Sequence, residues 1–234
     1  MSLNRLRKRL RADDGLSLAE LLVGMMVTSI LLAIVGSLFV NVAKITLNSN
    51  ATTARAGVGT NIMDALSKGI RTAVNNPTSS INTDPAIISG TTKSLSLYTY
   101  LDAKVAPGGA GGIAGKLVPT KVTYTVDAKG NLIEERVLGT DSAGYWTFTG
   151  TAIQRVVGGP ILTPTGDAAL FLFYDADGNN IALTAASDAT MRAKVTSVRV
   201  NVQITNKLTS GNDPILISNT ITLINLKPST SGKK

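Results

Sequence analysis

Residues 16–40 read LSLAELLVGMMVTSILLAIVGSLFV, an apolar run with the length and composition of a membrane-spanning helix. The twenty residues from Leu21 to Val40 carry no charge, and at about 1.5 Å per residue they span roughly 30 Å, the thickness of a bilayer's hydrocarbon core. One carboxylate, Glu20, interrupts the start of the run. Because a charge in such a segment costs free energy unless it is hydrated or paired, Glu20 is a candidate functional residue.

A short basic segment precedes the run and ends in Asp13-Asp14-Gly15. Its basic residues are Arg5, Arg7, Lys8, Arg9 and Arg11. Positive charge is retained on the cytoplasmic side of a membrane, so we expect a single-pass protein of the inner (cytoplasmic) membrane. Its N-terminus would be cytoplasmic and the chain after Val40 extracytoplasmic.

Three interpretations of this region compete. A secretory signal peptide has an apolar core of about 7–15 residues followed by a small-residue cleavage site, but this run is longer and carries Glu20 near its start. A plain single-pass anchor fits the length, yet leaves Glu20 and the Asp-Asp-Gly boundary unexplained. The third interpretation places a cut before the run and keeps the run in the mature protein.

The segment Gly15-Leu16-Ser17-Leu18-Ala19-Glu20-Leu21-Leu22-Val23 resembles the class III signal of type IV pilins and type II secretion pseudopilins. That pattern is a short basic leader ending in Gly, a hydrophobic residue, and Glu at the fifth position of the mature chain. The sequence departs from it at Leu16, where Phe is commonest. The resemblance covers residues 1 to about 50; the rest of the chain is similar only in general layout.

The resemblance implies that a prepilin peptidase cuts after Gly15 and methylates the new amino terminus at Leu16. The chain is then a substrate and not an enzyme. In the family, the glutamate at the position of Glu20 attracts the terminal amine of a neighbouring subunit during assembly. The alternative is that Glu20 lies at the headgroup level and stays hydrated.

The helical pattern continues beyond the membrane-length run. Apolar residues recur at every fourth position, at Val58, Ile62, Leu66, Ile70 and Val74. Because a residue before proline disfavours helix, Asn75-Asn76-Pro77 predicts the end of a helix that starts near residue 17. The domain organisation is therefore predicted as a leader (1–15), a transmembrane segment (16–40), an amphipathic continuation (41–76), a β-rich domain (77–227) and a tail (228–234).

Alternating apolar residues predict strands within 77–227, around Val122–Val126 and Val198–Ile204. A continuous apolar run, Ala169–Tyr174, predicts a central strand, and Ile215–Leu223 a closing strand. The predicted fold class is α+β: one antiparallel sheet packed on the apolar stripe of the long helix, as in pilins.

The composition excludes several kinds of site. The chain has neither cysteine nor histidine, so it has no disulfide, no thiolate or imidazole metal site and no Cys or His catalyst. We predict no cofactor. Asp175, Asp177 and Asn179 resemble the start of a calcium loop, but Asn180 and Ala186 stand where an EF-hand needs Gly and Glu. A hairpin turn is the favoured interpretation, with Asp127–Asn131 repeating the same pattern.

Other motifs are weaker. The glycine-rich segment 107–116 lacks the spacing of a phosphate loop and predicts a surface loop. Glu134 and Glu135 are adjacent in a predicted strand and would point to opposite faces, which argues against an acid–base pair. Tyr145–Phe148 contains the single tryptophan, and core packing is favoured over a surface contact.

The expected function is that of a minor pilin or pseudopilin, of the J/W-like type, in a type IV pilus, type II secretion or competence-type filament at the cell surface or in the periplasm. The expected partners are the prepilin peptidase, other pilin or pseudopilin subunits and an assembly platform in the membrane. The net charge of +8 is compatible with nucleic acid, but no basic cluster after the leader and before the terminal lysine pair indicates it. The alternative is a single-pass anchored adhesin or binding protein that keeps residues 1–15.

Overall fold

The computed structural model describes residues 17–101, 117–204 and 214–226, and within these ranges the chain forms two helices and fourteen strands. The helices are α1 (Leu18–Arg71) and α2 (Ala189–Ala193). The strands are β1 (Asn76–Pro77), β2 (Thr83–Asp84), β3 (Ile87–Gly90), β4 (Leu95–Thr99), β5 (Thr120–Val126), β6 (Leu132–Leu138), β7 (Thr140–Ser142), β8 (Tyr145–Thr147), β9 (Ile153–Gly158), β10 (Ile161–Leu162), β11 (Phe171–Tyr174), β12 (Asn180–Ile181), β13 (Ser197–Ile204) and β14 (Ile215–Thr222). A 3₁₀ turn (Gly166–Ala168) precedes β11.

The chain divides into two compact units between Ala51 and Thr52, and α1 contributes its first part to one unit and its last part to the other. In the first unit the large apolar side chains of α1 are exposed. In the second unit α1 is part of a packed core.

The helix ends at Arg71, before the predicted end at Val74. After Arg71 the backbone joins the end of β4, since the Val74 amide donates to the Tyr98 carbonyl and the Tyr100 amide donates to the Thr72 carbonyl. Val74 is buried, but in an extended segment and not on the helical stripe. Pairing with the sheet therefore ends the helix earlier than the proline does.

Two five-stranded antiparallel sheets form the β-rich unit. The first has the order β3-β4-β5-β6-β9. In the second, β13 pairs with β14 along its whole length and, on its other edge, with β11 and then β10, while β12 pairs with β11. Two small hairpins, β1–β2 and β7–β8, complete the described strands.

One apolar core joins α1 to both sheets. Ile62, Leu66 and Ile70 of α1 are fully buried, as the four-residue spacing predicts. The first sheet contributes residues such as Leu97 and Val122, and the second contributes Phe171, Phe173, Val198, Val200 and Val202. The helix stripe is thus held by side chains from both sheets.

The α+β fold class and the predicted strands around Val122–Val126, Val198–Ile204 and Ile215–Leu223 are confirmed. The run Ala169–Tyr174 forms a shorter strand, β11, which lies between β12 and β13. The prediction of one sheet is wrong. The strands that follow the cis Gly159-Pro160 peptide form a second sheet around β13 instead of extending the first.

Candidate functional site

The start of α1 is closed by a reciprocal pair of hydrogen bonds between Ser17 and Glu20. The Glu20 amide donates to Ser17 Oγ at 3.2 Å, and the Ser17 amide donates to Glu20 Oε2 at 3.1 Å. This is a capping box, in which the first residues of a helix satisfy amides that have no partner within the helix. Glu20 is therefore both the single acid of the apolar run and a structural part of the helix terminus.

The apolar half of α1 is long and hydrophobic enough to cross a membrane, judged by length and composition, and none of the apolar window is buried. Its large apolar side chains are exposed along its length, from 49% at Val40 to 82% at Leu18. Such side chains in water would be unfavourable by about 25 cal/mol per Å² of apolar surface. Lipid or other apolar helices are the environments that suit this segment.

Polar side chains within this half are satisfied by the helix itself. Thr28 Oγ1 donates to the Gly24 carbonyl and Ser29 Oγ to the Met25 carbonyl, both at 2.7 Å. Ser37 Oγ donates to the Ile34 carbonyl at 2.8 Å. An unpaired hydroxyl in hydrocarbon costs several kcal/mol, so these bonds remove the main penalty for placing the segment in lipid.

The predicted cleavage site, Gly15 and Leu16, lies outside the described residues. Glu20 is exposed, at the first turn of α1. Its pairing with a neighbouring subunit's amine stays a prediction. The helix begins at Leu18, directly after the Ser17 cap. A cut after Gly15 would remove neither Ser17 nor Glu20, so the capping box would stay intact.

A buried ionic cluster lies on the first sheet, next to the packed part of α1. Glu134 is fully buried, and Arg155 on the adjacent strand donates to it twice, from Nε to Oε1 at 2.8 Å and from Nη2 to Oε2 at 3.1 Å. Arg136 Nε also donates to Glu134 Oε1. Burial raises the pKa of Glu134, but the hydrogen bonds and charges of the two arginines outweigh it and hold the pKa below its usual range.

Tyr124 connects this cluster to the helix. It faces Glu134 across β5 and β6 and is fully buried, and its hydroxyl approaches the Ala65 carbonyl of α1 at 3.5 Å. Burial, and then the Glu134 charge, raise the pKa of Tyr124 well above its usual value. The Tyr124 side chain is therefore neutral, and its hydroxyl links the cluster to α1.

Glu135 lies on the opposite face of β6 from Glu134, as predicted, and accepts a hydrogen bond from Gln154 at 2.7 Å. The two carboxylates therefore have separate partners and do not form an acid–base pair. The glycine-rich segment 107–116 lies outside the described residues. The aromatic segment is partly buried at Tyr145, Trp146 and Phe148, which is intermediate between the core packing and the surface contact considered for it.

The weak calcium candidate, Asp175, Asp177 and Asn179, forms the predicted hairpin turn between β11 and β12. Asp175 Oδ1 accepts from the amides of Asp177 and Asn179, and its Oδ2 accepts from Asn179 Nδ2. These hydrogen bonds hold the pKa of Asp175 below its usual range, and the bond from the Asn179 backbone amide contributes most.

The segment Asp127–Asn131 repeats this hydrogen-bond pattern between β5 and β6. Within the described ranges, no three acidic, histidine or cysteine side chains meet to hold a metal. Both segments are thus built as turns.

No protein-family model, curated protein or solved structure matches this chain.

Two functional features were missed by the sequence analysis. The first feature is a capping box, whose Ser-x-x-Glu signature is present in the sequence as Ser17-Leu18-Ala19-Glu20, at the start of the apolar run. The pairing of Glu134 with Arg155 had no comparable signal, because it depends on the register of β6 against β9.

Proposed function

We propose that this chain is a pilin-like subunit, a minor pilin or pseudopilin. In this proposal a prepilin peptidase cuts after Gly15 and methylates Leu16, and the mature chain assembles through α1 into a filament. The filament is of the type IV pilus, type II secretion or competence type. Other pilin or pseudopilin subunits and a membrane assembly platform are the partners.

The start of α1 is the observation that supports the proposal most. The capping box begins at Ser17, the second residue of the proposed mature chain, and α1 begins at Leu18. Because α1 begins at Leu18, the bond between Gly15 and Leu16 that the peptidase would cut is not part of this helix. After the cut, the retained part is a complete helix with a satisfied terminus.

Glu20 has the chemistry to guide assembly. Its Oε2 accepts the Ser17 amide, and a carboxylate can accept up to about four hydrogen bonds, so it has capacity for the ammonium of a neighbouring Leu16. In an apolar setting an unpaired charge is strongly unfavourable, by several kcal/mol per ion. One axial register between subunits satisfies both charges and is therefore preferred over the others.

The apolar half of α1 supports both stages of the proposed route. Its exposed apolar side chains and self-satisfied hydroxyls suit storage in the membrane. The same surface suits packing against equivalent helices in a filament, where small residues such as Gly24 and Gly36 allow close approach. In this scheme the basic leader places the N-terminus in the cytoplasm and the β-rich unit outside.

The N-terminal residue of the membrane-extracted chain tests the proposal. A chain that begins at Leu16 only when a prepilin peptidase is present supports it. An anchored adhesin or binding protein, the competing function, would keep Met1 to Gly15 in both conditions.

A further inference from the structure

The two edges of the first sheet differ in what lies beside them. At β3 the edge is covered, because α2 packs on this strand and Arg192 Nη1 donates to the carbonyls of Ile87 and Ile88, at 3.1 and 2.7 Å. At β9 the edge is open among the described strands, since β9 pairs with β6 alone. The unpaired backbone groups of an open edge are a template on which another strand can pair.

The sequence of β9 lacks the features that keep an edge strand from pairing. Natural edges are protected by lysine, by proline or by very short strands, whereas β9 has six residues with neither lysine nor proline. Ile153 is 72% and Val156 63% exposed, and the one register shift of the strand lies after Val156. The single charge of β9, on Arg155, is bound to Glu134. The edge is therefore apolar and suited to pairing.

A second open edge of the same kind belongs to the second sheet. Among the described strands β14 pairs with β13 alone, and its eight residues include no charge and no proline. Its alternate side chains are exposed, at Leu216, Ser218, Thr220 and Thr222. The other outer strands of this sheet, β10 and β12, have two residues each. Each sheet thus has one long open edge within the described part of the chain.

We propose that β9 of one copy of the chain pairs with β14 of a second copy. Pairing of β9 with another β9 would form a closed two-fold dimer. Pairing of β9 with β14 is head-to-tail, because the first copy keeps an open β14 and the second an open β9. Such contacts continue from copy to copy, as filament growth requires. The inference rests on the proposed filament role and names a second copy of this chain as a neighbour within it.

The proposed contact is small. A strand of six residues buries much less than the roughly 1,600 Å² of a standard interface, so the pairing is weak in isolation. Copies whose α1 helices share one membrane are held at a high local concentration, which makes a weak contact sufficient. The test therefore uses full chains in vesicles of phosphatidylcholine.

The chain has no cysteine, so introduced thiols report the contact directly. Gln154→Cys places a thiol on the exposed part of β9, and Leu216→Cys or Thr222→Cys places one near either end of β14. A β9 variant labelled with a heavy nitrogen isotope is mixed with an unlabelled β14 variant and treated with a short bifunctional maleimide. We expect a cross-linked dimer of mixed mass with at least one of the two β14 variants.

Matched variants separate strand pairing from random collision. Gln154→Cys mixed with Lys129→Cys, in the exposed β5–β6 turn, should give at least tenfold less mixed dimer. Ile153→Lys, added to the Gln154→Cys chain, protects the edge with a charge and should lower the mixed dimer at least tenfold. Thr125→Lys adds the same charge to an exposed residue of β5, an inner strand, and should leave the yield unchanged. Thermal unfolding verifies that each variant folds.

Three results would overturn the proposal. The first is a mixed dimer no more abundant than with the control pair, and the second is a yield that Ile153→Lys leaves unchanged. The third is a dimer of two Gln154→Cys chains in excess of the mixed dimer, which would assign β9 to a two-fold contact.

The N-terminal residue of the same chains, produced with a prepilin peptidase, separates this inference from the proposed function. Chains that begin at Leu16 but give no mixed dimer refute the strand pairing alone. Chains that begin at Met1 and still give the mixed dimer refute the proposed processing alone.

Discussion

Glu134 and Arg155 face each other across β6 and β9, and two hydrogen bonds of 2.8 and 3.1 Å join a fully buried carboxylate to a guanidinium whose side chain is 53% exposed. The buried carboxylate is therefore neutralised by Arg155, a partly exposed side chain of β9. Because β9 pairs with β6 and with no other described strand, this pair also helps to hold the edge of the first sheet.

Glu134→Gln should lower the free energy of unfolding by about 2 kcal/mol. Loss of one partner from a fully buried pair costs about 3–5 kcal/mol, and the partial exposure of Arg155 reduces that figure. Chemical denaturation of the full chain in detergent measures the change. Glu135→Gln, the same substitution one residue later on the opposite face, should stay within about 0.5 kcal/mol of wild type. Equal effects of the two variants would contradict the assignment.

The stability of the wild-type chain should fall at acid pH in a way that depends on Glu134. The folded-state pKa of Glu134 is lowered below the ordinary value of about 4.3, so its contribution is complete above that pH and is lost as the pH falls through the folded pKa. Unfolding at pH 7, 5, 4 and 3 should therefore show a steeper loss for wild type than for Glu134→Gln. The pKa values of Asp127 and Asp175 are also lowered, so these two residues contribute the same pH dependence of stability to both proteins. Parallel profiles would count against the ionic role of Glu134.

Gly69→Ala should be destabilising even though alanine favours helix by about 1 kcal/mol over glycine. A Cβ at position 69 would overlap the Tyr124 hydroxyl, and such overpacking costs about 1–3 kcal/mol. Tyr124→Phe removes that hydroxyl and should recover at least half of the loss in the double variant. A double-mutant cycle measures the coupling, and additive effects would show that the hydroxyl is not the obstacle.

Two substitutions separate the capping role of Glu20 from its charge. Glu20→Gln keeps a side chain that can complete a capping box but removes the charge, whereas Ser17→Ala breaks the box and keeps the charge. We expect Glu20→Gln to be cut normally and to enter filaments at least tenfold less, because an unpaired buried ammonium costs several kcal/mol. Ser17→Ala should reduce incorporation less. Quantitative immunoblots of membrane and filament fractions distinguish the two, and normal incorporation of Glu20→Gln would refute the charge role.

The parts of the fold with a periodic sequence signal were predictable. The four-residue spacing of Ile62, Leu66 and Ile70 placed the buried stripe of α1, and alternation along Val198–Ile204 placed a central strand. The exact end of the helix and the division into two sheets were not predictable. Both depend on which distant strands the backbone joins, as when Val74 pairs with Tyr98.

The candidate site, like the fold, has a part that the sequence predicts and a part that it does not. The local pattern Ser17-Leu18-Ala19-Glu20 contains all the information for the capping box. The pair of Glu134 and Arg155 instead joins β6 to β9, and the β7–β8 hairpin lies between these two strands in the chain. No spacing rule predicts the register that brings these two side chains together.

The most direct test of the central claim is the intact mass of the membrane-extracted chain, produced with and without a prepilin peptidase. The account predicts a chain of residues 16–234 carrying one added methyl group when the peptidase is present, and a chain that begins at Met1 when it is absent. Gly15→Val, which places a branched side chain at the cut, should begin at Met1 in both conditions. A wild-type chain that still begins at Met1 with an active peptidase, or one cut after Val40, would contradict the account.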